Sequence, residues 1–334
     1  IVLRDGVELN EVNIVTRKLG TMKLRSSVMN EDMISSAELS RAACCNLGES
    51  FVTNPSVDVS YSDAATGAKQ IKLLGLSGTY VQMLTENIPN YRGAAAPYGL
   101  GYVPGPWMQS IQVSKGTSSV KNGYEAITGQ INVEFKKPQL PEADWVSANL
   151  FASTTNRYEA NADATLKLSK RWSTSLLVHY ENETKAHDGN DDGFVDIPQV
   201  EQYNVWNRWA YMGDHYVFQA GIKALSETRT SGQVNHGGTM HSGDLYKVGI
   251  DTERYEFFTK NAYIFNKEKN TNLALILSTT LHNQDATYGR KLYNVDQTNV
   301  YASLMFETEF NPQNSFSAGL SFNYDAYDQH YRLE

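Results

Sequence analysis

The second half of the chain repeats a two-residue pattern of apolar and polar positions. From Trp145 onward, segments of about 10 to 14 residues alternate in this way, separated by turn-forming residues. Period two is the period of a β-strand, whose successive side chains point to opposite faces of a sheet. An apolar face opposite a strongly polar face is what a transmembrane β-barrel requires. We count about nine such strands.

Four segments show the alternation most clearly, each with apolar side chains at one parity. These positions are Trp172, Thr174, Leu176, Val178 and Tyr180; Tyr216, Phe218, Ala220, Ile222 and Ala224; Val300, Ala302, Leu304, Phe306 and Phe310; and Phe316, Ala318, Leu320, Phe322 and Tyr324. The opposite parity carries residues such as His179, Glu181, Lys223 and Glu307. A soluble β-sandwich has a similar alternation, so this pattern alone leaves both folds open.

The lengths of the connections favour the barrel. Tight turns at 169–171, 213–215 and 311–314 alternate with long connections at 184–203, 229–249 and 285–296. Outer-membrane barrels have short periplasmic turns and longer extracellular loops. Trp145, Trp172 and Tyr211 fall at the short-turn end of their strands, where an aromatic girdle at the membrane surface is expected.

The first half of the chain predicts short strands and one helix. A serine at 35 or 36, followed by Glu38, predicts a helix that runs to Cys45. Strands are predicted at 57–61, 69–74, 81–84, 110–114 and 129–135. Residues 91–99 form a loop of small residues between them.

Two motifs in this half resemble the plug domain of TonB-dependent outer-membrane receptors. The closing motif is similar to residues 111–116, IQVSKG, followed by residues 123–133, GYEAITGQINV. The second motif is similar to Ile71–Leu76 and to the turn Glu86-Asn87-Ile88-Pro89. The pieces come in the family's order and cover roughly the first 140 residues. Leu74 stands where the family has an arginine, and Glu86-Asn87 where it has an acidic residue and glycine.

The resemblance implies a mixed α/β plug domain followed by an antiparallel transmembrane β-barrel. We expect an N-terminal segment at 1–18, the plug at 19–140 and the barrel at 141–334. Plugged transporters have about 22 strands, so about nine make an incomplete barrel with open edges. Because the chain begins at Ile1 without methionine and stops inside a strand-like run, we interpret both ends as truncated. The implied location is the outer membrane of a Gram-negative bacterium, in contact with its lipid.

The segment before the plug-like domain is similar to a TonB box. Its residues are Glu11, Val12, Asn13, Ile14, Val15 and Thr16. An exposed extended peptide can add as a strand to the sheet edge of a partner. The expected partner is a TonB-type energy transducer in the periplasm. An alternating hexapeptide is by itself more often an ordinary strand.

The first long connection contains a pattern typical of calcium loops. Oxygen donors stand at the first, third, fifth and ninth positions of an EF-hand-like loop: Asp188, Asn190, Asp192 and Asp196. Gly193 takes the sharp-turn position and Phe194 would add a backbone carbonyl. The twelfth position is Gln199 rather than glutamate, so affinity should be lower than in an EF-hand. We predict structural calcium over residues 188–199, against the alternative of a solvated acidic loop.

Candidate ligand-binding residues lie in two places. In the plug-like domain they are Tyr80, Tyr91, Arg92 and Tyr98, since the family's plug loops reach the ligand. In the second long connection His236, Met240 and His241 could bind copper or haem iron. Ordinary surface loops are the alternative in both places. A calcium loop after the third barrel strand resembles the vitamin B12 receptors, so uptake of a corrinoid, or of haem or an iron–siderophore, is expected.

Composition and motifs exclude several other classes of protein. The net charge of −8 argues against nucleic acid as a partner. No run of about 18 apolar residues could form a membrane-spanning helix. The adjacent cysteines Cys44 and Cys45 are too close for an ordinary disulfide. We find no catalytic triad, phosphate loop or zinc spacing, so no enzyme is predicted.

Two alternatives to an uptake receptor for small ligands remain. One is a soluble, secreted, calcium-stabilised β-sandwich that binds glycans or a partner protein. The other is a polysaccharide-uptake channel of the same family, which works with a surface lipoprotein lid.

Overall fold

The computed structural model describes most of the chain after residue 21. The described residues are 22–23, 30–41, 45–51, 54, 57–76, 78–116, 123, 125–138, 145–234, 245–311 and 314–334. They form an N-terminal unit, residues 22–138, and a large antiparallel sheet, residues 146–333, which we call the wall. None of the helices in these residues is long and apolar enough to cross a membrane.

The N-terminal unit is a mixed sheet with a separate hairpin. Its strands are β1 (Met22–Lys23), β2 (Asn30–Ser35), β3 (Val57–Asp63), β4 (Ala68–Leu73), β5 (Val81–Thr85), β6 (Ile88–Pro89), β7 (Met108–Lys115) and β8 (Gly129–Phe135). The sheet order is β1-β2-β7-β8-β5-β6, with β5 parallel to β8 and the other pairs antiparallel, and β3 pairs with β4. Short 3₁₀ turns lie at Leu47–Glu49, Gly78–Tyr80, Gly93–Ala95 and Gly105–Trp107.

Each predicted strand of this unit is present, with ends shifted by one or two residues. The predicted helix is shorter than expected: α1 covers Ser36–Arg41, and residues 42–44 are not described. Cys45 follows as a buried thiol, while Cys44 lies outside the described residues. Alternate residues of β7 and β8, such as Ile111, Val113 and Ile131, are fully buried in the core.

Glu86 and Asn87, which stand where the family has an acidic residue and glycine, still form the turn. Thr85 pairs with Ile88, and Glu86 and Asn87 between them have φ angles of 50° and 64°. Two central residues with positive φ make a type I′ hairpin turn. Asparagine tolerates this conformation, whereas for glutamate it is uncommon. Glu86 therefore holds its conformation against a local steric cost.

The wall is a meander of nine long strands among the described residues. They are β9 (Val146–Ala152), β10 (Arg157–Lys167), β11 (Trp172–Glu183), β12 (Gln199–Met212), β13 (Tyr216–Gly232), β14 (Lys247–Asn266), β15 (Thr271–Tyr288), β16 (Lys291–Asn311) and β17 (Asn314–Leu333). Each pairs antiparallel with the next, and β9 and β17 form the two edges of the sheet. The predicted count and topology are confirmed for an open part of a barrel.

The two faces of the wall divide as predicted. On β11, Leu176 and Val178 are exposed on the outer face, whereas His179 and Glu181 are buried on the inner face. The same division holds on β13, where Ile222 is 63% exposed and Lys223 is buried. The inner face meets the N-terminal unit, with Trp107 and Trp206 in contact at 6.2 Å between ring centroids. A soluble sandwich would bury the apolar face instead, so that alternative is wrong.

Aromatic side chains mark both borders of the apolar outer face. Trp172 stacks on Tyr211 at the short-turn end, with 5.1 Å between ring centroids. Tyr180 and Tyr203 stack toward the other end, with 5.0 Å between centroids. Trp172 and Tyr180 lie eight residues apart on β11, about 26 Å along a strand. On a strand tilted by about 40°, that length spans about 20 Å of membrane height, which is comparable to the apolar band of about 25 Å between two aromatic girdles.

One predicted long connection is wrong. Strands β15 and β16 continue through residues 285–296 and close with a two-residue turn, Gly289-Arg290. Above the tyrosine border the outward positions become polar, as at Asp285 and Asp296, and the sequence there loses its apolar alternation without leaving the strand. The other two connections are long but shorter than predicted, at 184–198 and 233–246.

We predict that Ile222→Arg in the full-length protein will destabilise the wall by about 2–4 kcal/mol, because an arginine would face hydrocarbon near the bilayer midplane. Ile222 lies midway between Phe218, at the short-turn border, and Ser226, which pairs with Tyr203. Urea unfolding in phospholipid vesicles measures the change. Thr228→Arg, two residues beyond Ser226 on the same face, is the control and should change the free energy of unfolding by less than about 1 kcal/mol. Equal losses in both variants would contradict a membrane-facing outer surface.

Candidate functional site

The candidate site is the interface between the N-terminal unit and the inner face of the wall. It has an apolar part, in which wall residues such as Trp206 and Phe258 join the core of the N-terminal unit, and a polar part made of ion pairs and hydrogen bonds from wall side chains to loops of the N-terminal unit. Three groups of contacts follow one another from the short-turn end toward the long-connection end.

The first group is centred on Glu86 in the strained turn. Its carboxylate accepts two hydrogen bonds from the Arg208 guanidinium, at 2.6 and 2.8 Å, and both side chains are buried. The Lys260 ammonium donates to the Glu86 carbonyl at 2.6 Å. The guanidinium carbon of Arg208 lies 4.4 Å from the Trp206 ring centroid. These contacts hold the turn in its uncommon conformation.

The charges around Glu86 decide its protonation. Burial by itself would raise the pKa of the Glu86 carboxyl, because the charged form loses its hydration. The positive charges of Arg208 and Lys260 outweigh that effect and lower the pKa from 4.5 to about 2. Glu86 is therefore ionised throughout the physiological range.

The second group joins Asn90 and Tyr91 to three charged wall residues. Asn90 accepts a hydrogen bond from Arg254 and donates to the Glu256 carboxylate at 2.9 Å. Lys223 donates to the Tyr91 hydroxyl at 3.1 Å and lies 3.6 Å from Glu256. Each buried charge thus meets an opposite charge or a polar group of the N-terminal unit.

The third group surrounds a cavity of about 150 Å³ near the long-connection end. One side is formed by Gly67 and Tyr98 of the N-terminal unit, and the other by Arg157 and Arg229 of the wall. Arg229 donates to the Thr66 carbonyl at 3.2 Å. A smaller cavity of about 20 Å³ lies at the first two groups, lined by residues such as Glu86, Tyr91 and Glu256.

The predicted ligand residues of the N-terminal unit lie at different places. Tyr91 and Tyr98 are buried against the wall, Tyr91 in the second group and Tyr98 at the cavity. Arg92 forms ion pairs with Glu125 and with Asp325 of β17, the latter at 2.9 Å. Tyr80 is 43% exposed. The structure therefore brings one of the four, Tyr98, to the larger cavity, and ligand binding by all four stays a prediction.

The loop between Tyr91 and Tyr98 lies close against β16 and β17. Gly93 has a φ of 60°, and a Cβ there would collide with Tyr327 and Gln297. The Ala94 amide donates to the Gln297 side chain at 3.0 Å. The small residues of this loop permit that approach.

Two further sets of predicted site residues lie outside the described residues. These are the TonB-box-like residues Glu11, Val12, Asn13, Ile14, Val15 and Thr16, and the loop residues His236, Met240 and His241.

The predicted calcium loop is closed by its own hydrogen bonds. Asp188 accepts from the Gly193 amide at 2.8 Å, and Asp196 accepts from the Gly189 amide at 2.7 Å. Asp192 accepts from the Phe194 amide at 2.8 Å. Gly193 makes the predicted sharp turn with a φ of 83°. Among the described residues, no group of three or more His, Cys, Asp or Glu side chains is arranged to hold a metal ion.

Sequence reasoning missed most of the residues that hold the interface. Arg208, Arg254 and Glu256 are charged side chains at the inward parity of long strands. Repeated charge on the face opposite an apolar face was the available signal. It identifies the lining of the lumen but does not identify the partners, which are distant in sequence.

Comparison with known proteins agrees with this arrangement. Residues 23–130 match the TonB-dependent receptor plug domain family. The vitamin B12 transporter BtuB of Vibrio vulnificus strain CMCP6 is 24% identical over 185 residues, which are 55% of this chain and 30% of that protein. FpvA of P. aeruginosa, solved with a heterologous pyoverdine and iron, has a TM-score of 0.74 at 12% identity, over 94% of this chain and 44% of that one.

A further solved structure with the same fold is the alcaligin outer-membrane receptor FauA of Bordetella pertussis. Its TM-score is 0.65 at 12% identity, over 92% of this chain and 49% of FauA. The chain thus spans less than half the length of each of these three proteins.

The fold defines the class: a plug domain held against the inner face of an outer-membrane β-barrel. Within that class, residues 23–130 match the plug domain of TonB-dependent receptors, the vitamin B12 transporter BtuB is a relative over 185 residues, and the solved structures share the fold of the plug and part of the barrel. The N-terminal unit is the plug. Proteins of this class lie in the outer membrane of Gram-negative bacteria, and the predicted location is confirmed.

We predict that Glu86→Gln will weaken plug docking by about 3 kcal/mol, because it leaves Arg208 and Lys260 buried without their counter-charge. A urea titration of the full-length receptor, followed by the fluorescence of Trp107 and Trp206, measures docking.

The ion pair between Glu86 and Arg208 also makes docking depend on pH. The docked carboxyl stays charged until the pH falls to about 2, whereas a freed one protonates near 4.5. The stabilisation is complete above about pH 4.5 and is lost between 4.5 and 2.

Two controls make this test specific. Asp214→Asn removes an exposed ion pair with Arg171, at 3.0 Å, and should change stability by less than about 1 kcal/mol. The Glu86→Gln receptor should also lack the loss of docking between pH 4.5 and 2. If wild type and Glu86→Gln respond alike to pH, Glu86 is not the docking residue that we describe.

Proposed function

We propose that the receptor takes up a scarce small ligand across the outer membrane by TonB-dependent transport. One observation carries the proposal: the plug is attached by buried ion pairs to the polar inner face of a wall whose outer face is apolar. A plug held in this way blocks the lumen and can be displaced by force. The ligand would bind at the long-connection end, where the cavity between plug and wall lies. TonB-dependent receptors of this kind are transporters and not enzymes.

The similar proteins support a metal chelate as the ligand class. The relative is named for vitamin B12, and the two solved structures are receptors for pyoverdine and alcaligin. We propose a corrinoid, or else an iron–siderophore or haem. We propose that His236, Met240 and His241 contact such a ligand. The surface lipoprotein lid stays a prediction.

We predict that deleting residues 11–16 from the full-length receptor will abolish uptake and leave ligand binding unchanged. The reason is that strand addition by the energy transducer needs this extended segment, whereas ligand binding needs the outer face. Uptake and equilibrium binding of labelled cyanocobalamin, haem and a ferric siderophore, each at limiting concentration, provide the two readouts. Normal uptake by the deletion variant would refute the TonB-box assignment. Uptake of none of the three ligands by wild type would refute the proposed ligand class.

We also propose that calcium orders residues 188–199. To bind it, Asp188, Asp192 and Asp196 would turn from the loop's own amides to the ion. Asp188→Asn with Asp192→Asn keeps the hydrogen-bond acceptors but removes two charges, so calcium affinity should fall at least about tenfold. Calorimetric titration with CaCl₂ measures this. Asp191→Asn, at a position that supplies no ligand in the loop pattern, is the control; an equal loss there would contradict the assignment.

A further inference from the structure

The cavity between plug and wall combines aromatic and charged lining. It lies beside the turn at Gly67, below Ile197 and Pro198 of the first long connection. Tyr61 and Tyr98 of the plug contribute aromatic rings to it. Both ring faces already attract cations: the Lys69 ammonium lies 5.5 Å from the Tyr61 centroid, and the Arg229 guanidinium 5.0 Å from that of Tyr98.

Carboxylates outnumber cations on the β10–β11 side of the cavity. Arg157 forms ion pairs with Glu49 and Glu159, each at 2.8 Å, and with Glu181 at 2.9 Å. Lys69 lies 4.0 Å from Glu49. Arg229 does not relieve the excess, because it is paired with Glu227 at 2.9 Å.

Glu183 adds a further carboxylate to this side. Its side chain is buried, with 6% of the residue exposed, and it lines the cavity. Its Oε1 has no hydrogen-bond partner in the part of the chain that the structure describes. A buried carboxylate oxygen without a hydrogen-bond partner is costly, so a complementary positive group would be favoured there.

We propose that this cavity binds an organic cation, an ammonium or guanidinium group of the transported ligand, with Glu183 as its counter-ion. The inference rests on the proposed uptake function and selects, among the proposed ligands, an iron–siderophore that carries such a group, because cobalamin and haem have neither an ammonium nor a guanidinium group. An organic cation suits the lining better than a bare metal ion, because the cavity offers aromatic faces beside a carboxylate. The rings of Tyr61 and Tyr98 suit such a cation, since aromatic faces attract ammonium and guanidinium groups.

The probe is n-butylammonium, with 1-butanol as the neutral compound of the same size. Saturation-transfer NMR titration of the full-length receptor in detergent measures binding. We expect n-butylammonium to bind wild type at least about tenfold more tightly than 1-butanol, and Glu183→Gln to remove that preference. Glu183→Asp keeps the charge and should retain the preference within a fewfold. Glu201→Gln, on the exposed outer parity of β12, is the matched control and should bind like wild type.

Equal binding of n-butylammonium to wild type and Glu183→Gln would overturn the proposal, as would equal binding of the two probes to wild type. A Glu183→Asp variant that binds no better than Glu183→Gln would also overturn it. Probe binding does not depend on energised transport. A receptor that binds the probe but transports no chelate would therefore refute the proposed ligand class alone, whereas transport without probe binding would refute the cation site alone.

Discussion

The structure depends on how the wall neutralises its own inward-facing charges. A barrel wall with lipid outside places its polar side chains in the lumen, and the plug covers that lumen. Arg208, Lys223 and Arg254 are then buried and need partners at close range. The plug supplies them through the Glu86 carboxylate, the Tyr91 hydroxyl and the Asn90 amide group. Without the plug, these charged side chains of the wall would lose their partners, and without the wall Glu86 would lose its counter-charge.

This constraint explains the conformation of the turn at Glu86. Glutamate is a poor residue for positive φ, and a glycine would relieve the strain but would carry no charge. The carboxylate reaches Arg208 from this turn, and the carbonyl of the same residue accepts from Lys260. The local cost is thus offset by contacts to two strands of the wall. The contacts with the docked wall therefore explain why a glutamate stands at this turn.

The sequence predicted those features of the fold that the residues of one strand determine by themselves. Period-two alternation identified which side chains face outward, because each strand alone determines its two faces. It failed at residues 285–296, where the strands rise above the apolar band and the outward positions become polar. It also failed for Glu86 and Arg208, which lie 122 residues apart, because their meeting depends on how plug and wall dock. Tyr91 and Tyr98 are buried for the same reason.

The polar part of the interface has a mechanical consequence. Apolar surfaces pulled apart in water tend to close again, since exposing them is costly over their whole area. Ion pairs and hydrogen bonds can instead be taken over one at a time by entering water molecules. A pull applied at one end of the plug would then meet a series of small resistances rather than one large one, and the vacated channel lining would stay hydrated. A hydrophilic cargo could follow the retreating plug along a surface that is already wet.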